Sequence, residues 1–340
     1  RRQNRVRELL QNEAREPLKT MALLFGAQRL HKVLQAGVVA GPNDDNDDER
    51  AEGAFISLDP STGHITAMIG GSRFQYYNQF NRVLLAHRQL GSAIKPFIYA
   101  PALEKKVLTA ATPISDAPVA FGSVRAGEDE LYVPNNYDGD YKGTLPAREA
   151  LRRSINTCAL LVLERITPEA VREYGKKFFK IKTDKELWQK FPPDLTMGLG
   201  TGSFTPFEMA QAFGVFANEG REVIPLSIRS VVGRNGEVLT NFERTLARET
   251  RRQGIAPATA YLVTDILAGV FDAGGTANRR ELDGYRLREV SSGKTGTTGN
   301  WTDAWFVGYH KYLVTAVWIG YDSNKSLGKG RTGGELSAPV

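Results

Sequence analysis

The order of apolar and polar positions divides the chain into a short strand-like opening, a long helical middle and a strand-like end. In AFISLDPSTGHITAMIGG two short apolar runs flank Pro60-Ser61-Thr62-Gly63, the pattern of a β-hairpin. From Ser92 to Lys105 the spacing turns helical, and a Gly/Asn/Asp/Tyr-rich stretch that includes VPNNYDGDYKG predicts loop. Helical runs follow in LPAREALRRSINTCALLVLERI, TPEAVREYGKKFF, TPFEMAQAFGVFANEG and PATAYLVTDILAGVF. In the third of these Thr205 predicts the N-cap, Pro206 the first helical position, Glu208 the reciprocal half of a capping box and Gly220 the stop. The last part, VSSGKTGTT, TDAWFVGYH and YLVTAVWIGYD, is short, β-branched and aromatic, with short turns between the runs. These elements predict an α+β fold. The early hairpin and the three late strands make a five-stranded antiparallel sheet, a large helical insertion separates them in sequence, and helices cover the sheet because an apolar face cannot stay bare.

Composition narrows the class. The chain has 340 residues, 41% hydrophobic and 24% charged, the values of a globular chain with a real core. Its net charge of +6 is modest and its Lys and Arg are spread along the chain. With no basic-aromatic stripe, zinc-finger spacing or RNP-like run, nucleic-acid binding is not indicated. The single cysteine, Cys158, excludes an intrachain disulfide and a cysteine metal cluster. His31, His64, His87 and His310 have no metal-ligand spacing and read as surface or packing residues, so no metal and no cofactor is expected. No apolar run approaches the roughly 20 residues of a membrane span. Residues 1–40 read as basic and helical without a clear core face. GPNDDNDDER, residues 41–50, reads as a solvated acidic linker, since the glycine and terminal Glu of a calcium loop are not in place. The expected organisation is therefore an N-terminal connector and linker over 1–50 and one domain over 51–340. The absence of an initiator Met at Arg1 suggests a piece of a longer protein.

The candidate chemistry begins at Ser92 and Lys95. A serine hydroxyl is a poor nucleophile at neutral pH and needs a base. On a helix, positions i and i+3 share a face, so the pair falls within hydrogen-bond reach. Lysine serves as base only when part of it is neutral, and burial or a second cation lowers its pKa. The motif is weak alone: about one S-x-x-K is expected by chance in a chain this long. A second copy, Ser291–Lys294, falls in a strand-like setting. By themselves Ser92 and Lys95 read as a helix N-terminus with a snorkelling lysine. Ser154-Ile155-Asn156 lies at a break between two helical runs, where a hydroxyl and an amide can face a cleft, and alone reads as a helix cap. Lys294-Thr295-Gly296 alone reads as an edge strand protected by a lysine.

In this order the three motifs form the set of penicillin-binding proteins and serine β-lactamases. The sequence between them is similar as well: GSAIKPFIYAPALE, PNNYDGDYKGTLPAREALRRSINTCALLVLERI, LGTGSFTPFEMAQAFGVFANEG and GKTGTTGNWTDAWFVGYHKYLVTAVWIGYD. From about Glu52 onward the chain resembles the transpeptidase domain of class A (bifunctional) penicillin-binding proteins, and residues 1–50 resemble the connector that follows that family's glycosyltransferase domain. The resemblance implies a sheet with helices on both faces, a large inserted helical subdomain, and a closing C-terminal helix missing from this chain. It implies acyl transfer on cell-wall peptides ending in D-Ala-D-Ala. Ser92 would be the nucleophile and Lys95 its base. Ser154 would relay a proton to the leaving nitrogen, and Asn156 would hold Lys95 and the substrate amide. Lys294 would be a standing cation that attracts the substrate carboxylate and depresses the pKa of Lys95. Thr295 and Thr297 would offer hydroxyls to that carboxylate, and Gly296 would let a substrate backbone lie close. The N–H groups of Ser92 and Thr297 would form the oxyanion hole. The implied partners are peptidoglycan stem peptides, as D-Ala-D-Ala donor and amine acceptor, and β-lactam antibiotics, on the extracytoplasmic face of the bacterial inner membrane, with a membrane anchor only in the full-length protein. Ile155 stands where β-lactamases carry Asp, which favours a penicillin-binding protein. A D,D-carboxypeptidase or β-lactamase on the same fold, and a β-lactam or muropeptide sensor that does not turn over, stay open as alternatives. Cys158, one helical turn past Ser154, reads as a small buried apolar residue.

Overall fold

The sheet that organises the molecule joins the two ends of the domain. In the computed structural model, which describes residues 50–340 except 75–77, 123–131, 280–281 and 283–284, strands β1 (Glu52–Leu58) and β2 (Ile65–Ile69) form the expected hairpin. The helical middle contains α1 (Pro96–Glu104), α2 (Ala147–Arg152), α3 (Asn156–Ile166), α4 (Pro168–Phe178), α5 (Pro206–Ala217) and α6 (Pro257–Ala268). Strands β3 (Ser292–Thr297), β4 (Asp303–His310) and β5 (Leu313–Gly320) follow. The strand order is β2-β1-β5-β4-β3. The hairpin and the late strands share one antiparallel sheet, as expected. The first strand thus pairs with the last, and β3 is left as an edge. Residues 51–340 form one compact unit, and the basic and acidic expectations for 1–49 lie outside the described residues.

Alternation along the strands separates the two faces. Ala54, Ile56, Leu58, Trp305, Val307, Tyr309, Val314, Ala316 and Trp318 enter the main core. There α5 lies across β5, β1 and β4. It is buried almost all round, as its mostly apolar sequence, interrupted only by Glu208 and Gln211, requires. Its capping box forms as read, with Thr205 Oγ1 accepting from Glu208 N and Glu208 Oε2 accepting from Thr205 N. The helix ends at Ala217, and Gly220, the predicted stop, follows in the left-handed region. On the opposite face Phe306 packs with Val270, Ala277 and Ala338, beneath the turn Gly269–Phe271. A one-turn helix, Gly333–Leu336, rests on β4 and β3.

Helix α1 is the central strut. All of it except Glu104 is buried. Phe97 packs edge-on against Phe178, Phe179 and Phe213 at ring separations of 5.3, 4.9 and 5.1 Å. Each such ring contributes about 1.5–3 kcal/mol by burial. The residue two positions before Phe97 is Lys95, so this aromatic cluster anchors the candidate base.

Candidate active site

Three pieces of chain meet at one point. The first is a tight 3-10 turn, Gly91–Ile94, that leads into α1. Gly91 has φ +51°, and a Cβ there would lie 2.2 Å from the Thr297 carbonyl oxygen, so only glycine lets this turn close on the end of β3. Leu90 N and Gly91 N both donate to the Gly200 carbonyl, at 3.1 and 3.2 Å. Trp305 Nε1 donates 2.8 Å to Gln89 O just upstream. Ser92 is half-buried on this turn, and Lys95 follows it, fully buried.

The second piece is the break between α2 and α3. Ser154 has φ +62°, a left-handed conformation that costs a serine on the order of 1–3 kcal/mol and persists only where the surroundings hold it. The strain has a visible result. Lys95 Nζ donates 2.6 Å to Ser154 O and 2.7 Å to Asn156 Oδ1, and lies 3.3 Å from Ser154 Oγ. The Asn156 side chain is held at its other end too, Nδ2 donating 2.9 Å to Asn135 O.

The third piece is β3. Lys294, also fully buried, donates 2.8 Å to Ser154 Oγ and 3.0 Å to Thr295 O. Ser154 therefore stands between two buried amines. The sequence motifs Ser92–Lys95, Ser154–Asn156 and Lys294–Thr297 are brought together as expected from their order.

The electrostatics follow from burial. Desolvation pushes Lys95 down to about 7, with the neighbouring Cys158 thiol pulling weakly the other way. Its contacts are all to oxygens, Ser154 O and Asn156 Oδ1 at short range and Ser154 Oγ at 3.3 Å, and full burial favours the loss of one of its protons. Lys294 is pushed well below the usual lysine range, first by burial and then by the charge of Lys95. Two cations this close disfavour each other reciprocally, so Lys95 and Lys294 titrate as a coupled pair. Among the described residues, neither amine has a carboxylate partner, so the pair does not easily hold two protons. Burial pushes the Cys158 thiol up to about 12, in line with the apolar role read from sequence.

Other expectations shift in detail. Ser92 Oγ makes no hydrogen bond among the described residues; the Lys95 amine is committed to the break at 154–156 instead. Such bonds often tighten only when substrate is present. Gly296 makes room for the chain itself: a Cβ there would lie 2.4 Å from Leu90 O and 2.9 Å from the Ala93 methyl, so this glycine seats the serine turn rather than leaving space for a substrate. Thr295 and Thr297 lie on the strand face opposite Lys294. Thr295 Oγ1 donates 2.6 Å to Thr276 Oγ1, and Thr297 Oγ1 accepts from Gly333 N at 3.1 Å.

The sequence reading missed Asp116, Asn135, Asn136, Thr157 and Thr276, which surround these groups. The pair Asn135-Asn136 inside a Gly- and Asp-rich loop was the available signal. It also missed a contact between two lips of the cleft, where Trp301 Nε1, on the β3–β4 turn, donates 3.3 Å to Tyr137 Oη, two residues past Asn135.

The family model described as penicillin binding protein transpeptidase domain matches residues 53–340. The chain belongs to the penicillin-binding protein transpeptidase family. Penicillin-binding protein 1A of Aquifex aeolicus (strain VF5) is 39% identical over 293 residues, covering 85% of this chain and 37% of that protein. The namesake of Neisseria gonorrhoeae is 37% identical over 290 residues, covering 85% and 35%. The chain thus spans little more than a third of the length of these relatives. Penicillin-binding protein 1A from Haemophilus influenzae has a similar structure, with TM-score 0.75 and 29% identity over 84% of this chain and 45% of that one. So has PonA1 from Mycobacterium tuberculosis in complex with penicillin V, with TM-score 0.72 and 25% identity over 91% and 79%. Membership in this penicillin-binding protein family assigns the sheet and the cleft between β3 and the α2–α3 break to a transpeptidase fold.

Proposed function

We propose that residues 51–340 form a peptidoglycan D,D-transpeptidase domain that works through a serine acyl-enzyme and is acylated by β-lactams. The observation that carries this is the fully buried Lys95 amine, without a carboxylate partner among the described residues and held against Ser154 and Asn156. In this reading Ser92 Oγ attacks the carbonyl carbon of the penultimate D-Ala as its proton passes to Lys95 Nζ. The Ser92 and Thr297 N–H groups hold the developing oxyanion, and losing one such donor typically costs about 2.7–4 kcal/mol of barrier. The C–N bond to the terminal D-Ala then breaks. Its nitrogen takes a proton through Ser154 Oγ, which is in contact with both amines and can donate and accept. The acyl group is now an ester on Ser92. The amine of a second stem peptide attacks that ester, forms the new amide, and gives up a proton that returns to Ser92. The substrate carboxylate would supply the negative charge that the amine pair lacks and so favour the protonated form of Lys294. With a β-lactam the same attack opens the ring, and the leaving nitrogen stays tethered.

The rest of the reading follows from the family. Residues 1–50 are assigned to a connector, the working place to the extracytoplasmic face of the bacterial inner membrane, and anchoring to other parts of a longer protein. Among the described residues no helix is long and apolar enough to cross a membrane. The test is the intact mass of the protein after incubation with benzylpenicillin, for wild type and Ser92→Ala. A stable adduct in wild type alone is the expected result. An adduct that persists in Ser92→Ala overturns the assignment of the nucleophile. Consumption of penicillin without an adduct would make the protein a β-lactamase instead.

A further inference from the structure

We propose that Asp116 is a positioning residue for this site, a buried carboxylate that fixes the Ser154–Asn156 break from behind through Asn136 and Thr157. The inference rests on the serine acyl-enzyme reading above. Asp116 ends the strand Pro113–Asp116, which pairs with Gly143–Pro146, and is 1% exposed. Its oxygens accept from Asn136 Nδ2 at 2.9 and 3.0 Å, from the backbone N–H of Lys142 at 2.8 Å, and from the Thr157 hydroxyl. Every group facing it is used as a donor, and a carboxylate is the side chain that only accepts.

From Asp116 two short routes reach the site. Asn136 Nδ2 is held by Asp116 and by Asp140 O, and this directs its Oδ1 to accept from Asn156 N at 3.0 Å. Thr157, fully buried, is the residue after Asn156. The first N–H groups of a helix have no partner within it, and Ile155, at the N-cap of α3, offers no side-chain acceptor. Asn136 supplies that acceptor from a distant loop, and Asp116 aims Asn136. A negative group at this end of an 11-residue helix also suits its dipole. The result is a chain of contacts from Asp116 to Asn136, to Asn156, to Lys95 Nζ, in which Asp116 touches no reacting atom. It holds the left-handed Ser154 in the one arrangement that points both O and Oγ at the amines.

Asp116→Asn keeps the shape of the side chain and puts an N–H among donors. The experiment measures the second-order rate of acylation by benzylpenicillin, by intact mass, in wild type, Asp116→Asn, Asn136→Ala and the double variant, with thermal unfolding of each. We expect Asp116→Asn to stay folded and to lose about a hundredfold in rate, the cost that misplacing a catalytic group by about 1 Å can carry. In the Asn136→Ala background the same change should cost at least tenfold less, because Asp116 reaches the N–H of residue 156 through Asn136. A rate within about threefold of wild type overturns the proposal, as does an equal loss in both backgrounds, which would mark an effect that does not pass through Asn136. If Asp116→Asn does not fold, Asn136→Ala takes its place: at least a tenfold loss in a folded protein supports the proposal, and a rate within about threefold of wild type overturns it. A wild-type protein that is never acylated removes the acyl-enzyme reading itself and the positioning role with it, and is distinguished from the other outcomes by the wild-type measurement.

Discussion

In the proposed reaction the acylation rate should depend on pH through Lys95, with a sign and size that follow from how far burial lowers the amine. Complete burial brings the amine down to about 7. Its active form as a base is the neutral one, so activity rises with pH. The neutral fraction is roughly 3% at about pH 5.5 and roughly 97% at about pH 8.5, a rise of roughly thirtyfold that levels off above neutrality. The other titratable groups facing Lys95 do not produce this curve. Burial holds the Cys158 thiol near 12 and pushes the Tyr99 phenol well above its usual range. Lys294 is the remaining coupled group, and both amines donate to the same Ser154 side chain. The assay is the rate of benzylpenicillin adduct formation across that range at fixed ionic strength, with unfolding checked at each pH. An ordinary exposed lysine, at about 10.4, would give a rate still climbing tenfold per unit at about pH 8.5. That result, or a flat profile, would refute the argument that burial prepares the base.

Two further outcomes follow from the same geometry. Lys95→Met should abolish acylation and yet stabilise the protein. Holding an amine at about 7 instead of 10.5 costs about 4–5 kcal/mol at neutral pH, and the half-buried Ser154 and Asn156 acceptors it leaves can regain water, so a net gain of roughly 1–3 kcal/mol in urea unfolding is expected; a less stable variant refutes this. Gly91→Ala would place a methyl 2.2 Å from Thr297 O at a positive φ. It should cost about 1–3 kcal/mol and at least tenfold in acylation rate, and wild-type acylation would show that the serine turn and β3 do not jointly set the oxyanion site.

How much of this was legible in the sequence depends on the range of the cause. The capping box at Thr205 and Glu208, the hairpin around Pro60–Gly63 and the break at Ser154 are local, and each has a local signature. The edge strand read at Lys294 is present, but its lysine is fully buried and turned into the site, so it does not guard the edge. Asp116 was invisible for the opposite reason. It sits 20 residues from Asn136 and 41 from Thr157 in sequence, and a buried carboxylate surrounded by donors has no periodicity. That both lysines are fully enclosed was not legible either, because enclosure is a property of the packed core. Gly296 was assigned to a substrate because the neighbour that fills its space, Leu90, is known only once β3 and the serine turn are in contact.

The wall behind Ser92 is made of main chain. Gly91 abuts Thr297, Gly200 abuts Gly91, Gly296 abuts Leu90, and Gly333 abuts Trp305, each so closely that a single added carbon would collide with a carbonyl oxygen. For natural variation this has a plain consequence. A lineage under pressure to tell one acyl donor from another finds few side chains to exchange at the floor of the cleft, where most changes break the fold before they alter preference. Innovation is displaced outward to residues such as the exposed Tyr137 and its neighbour Trp301, whose replacement leaves the floor intact. On this argument the inner site should tolerate little change, and variation should fall at its rim.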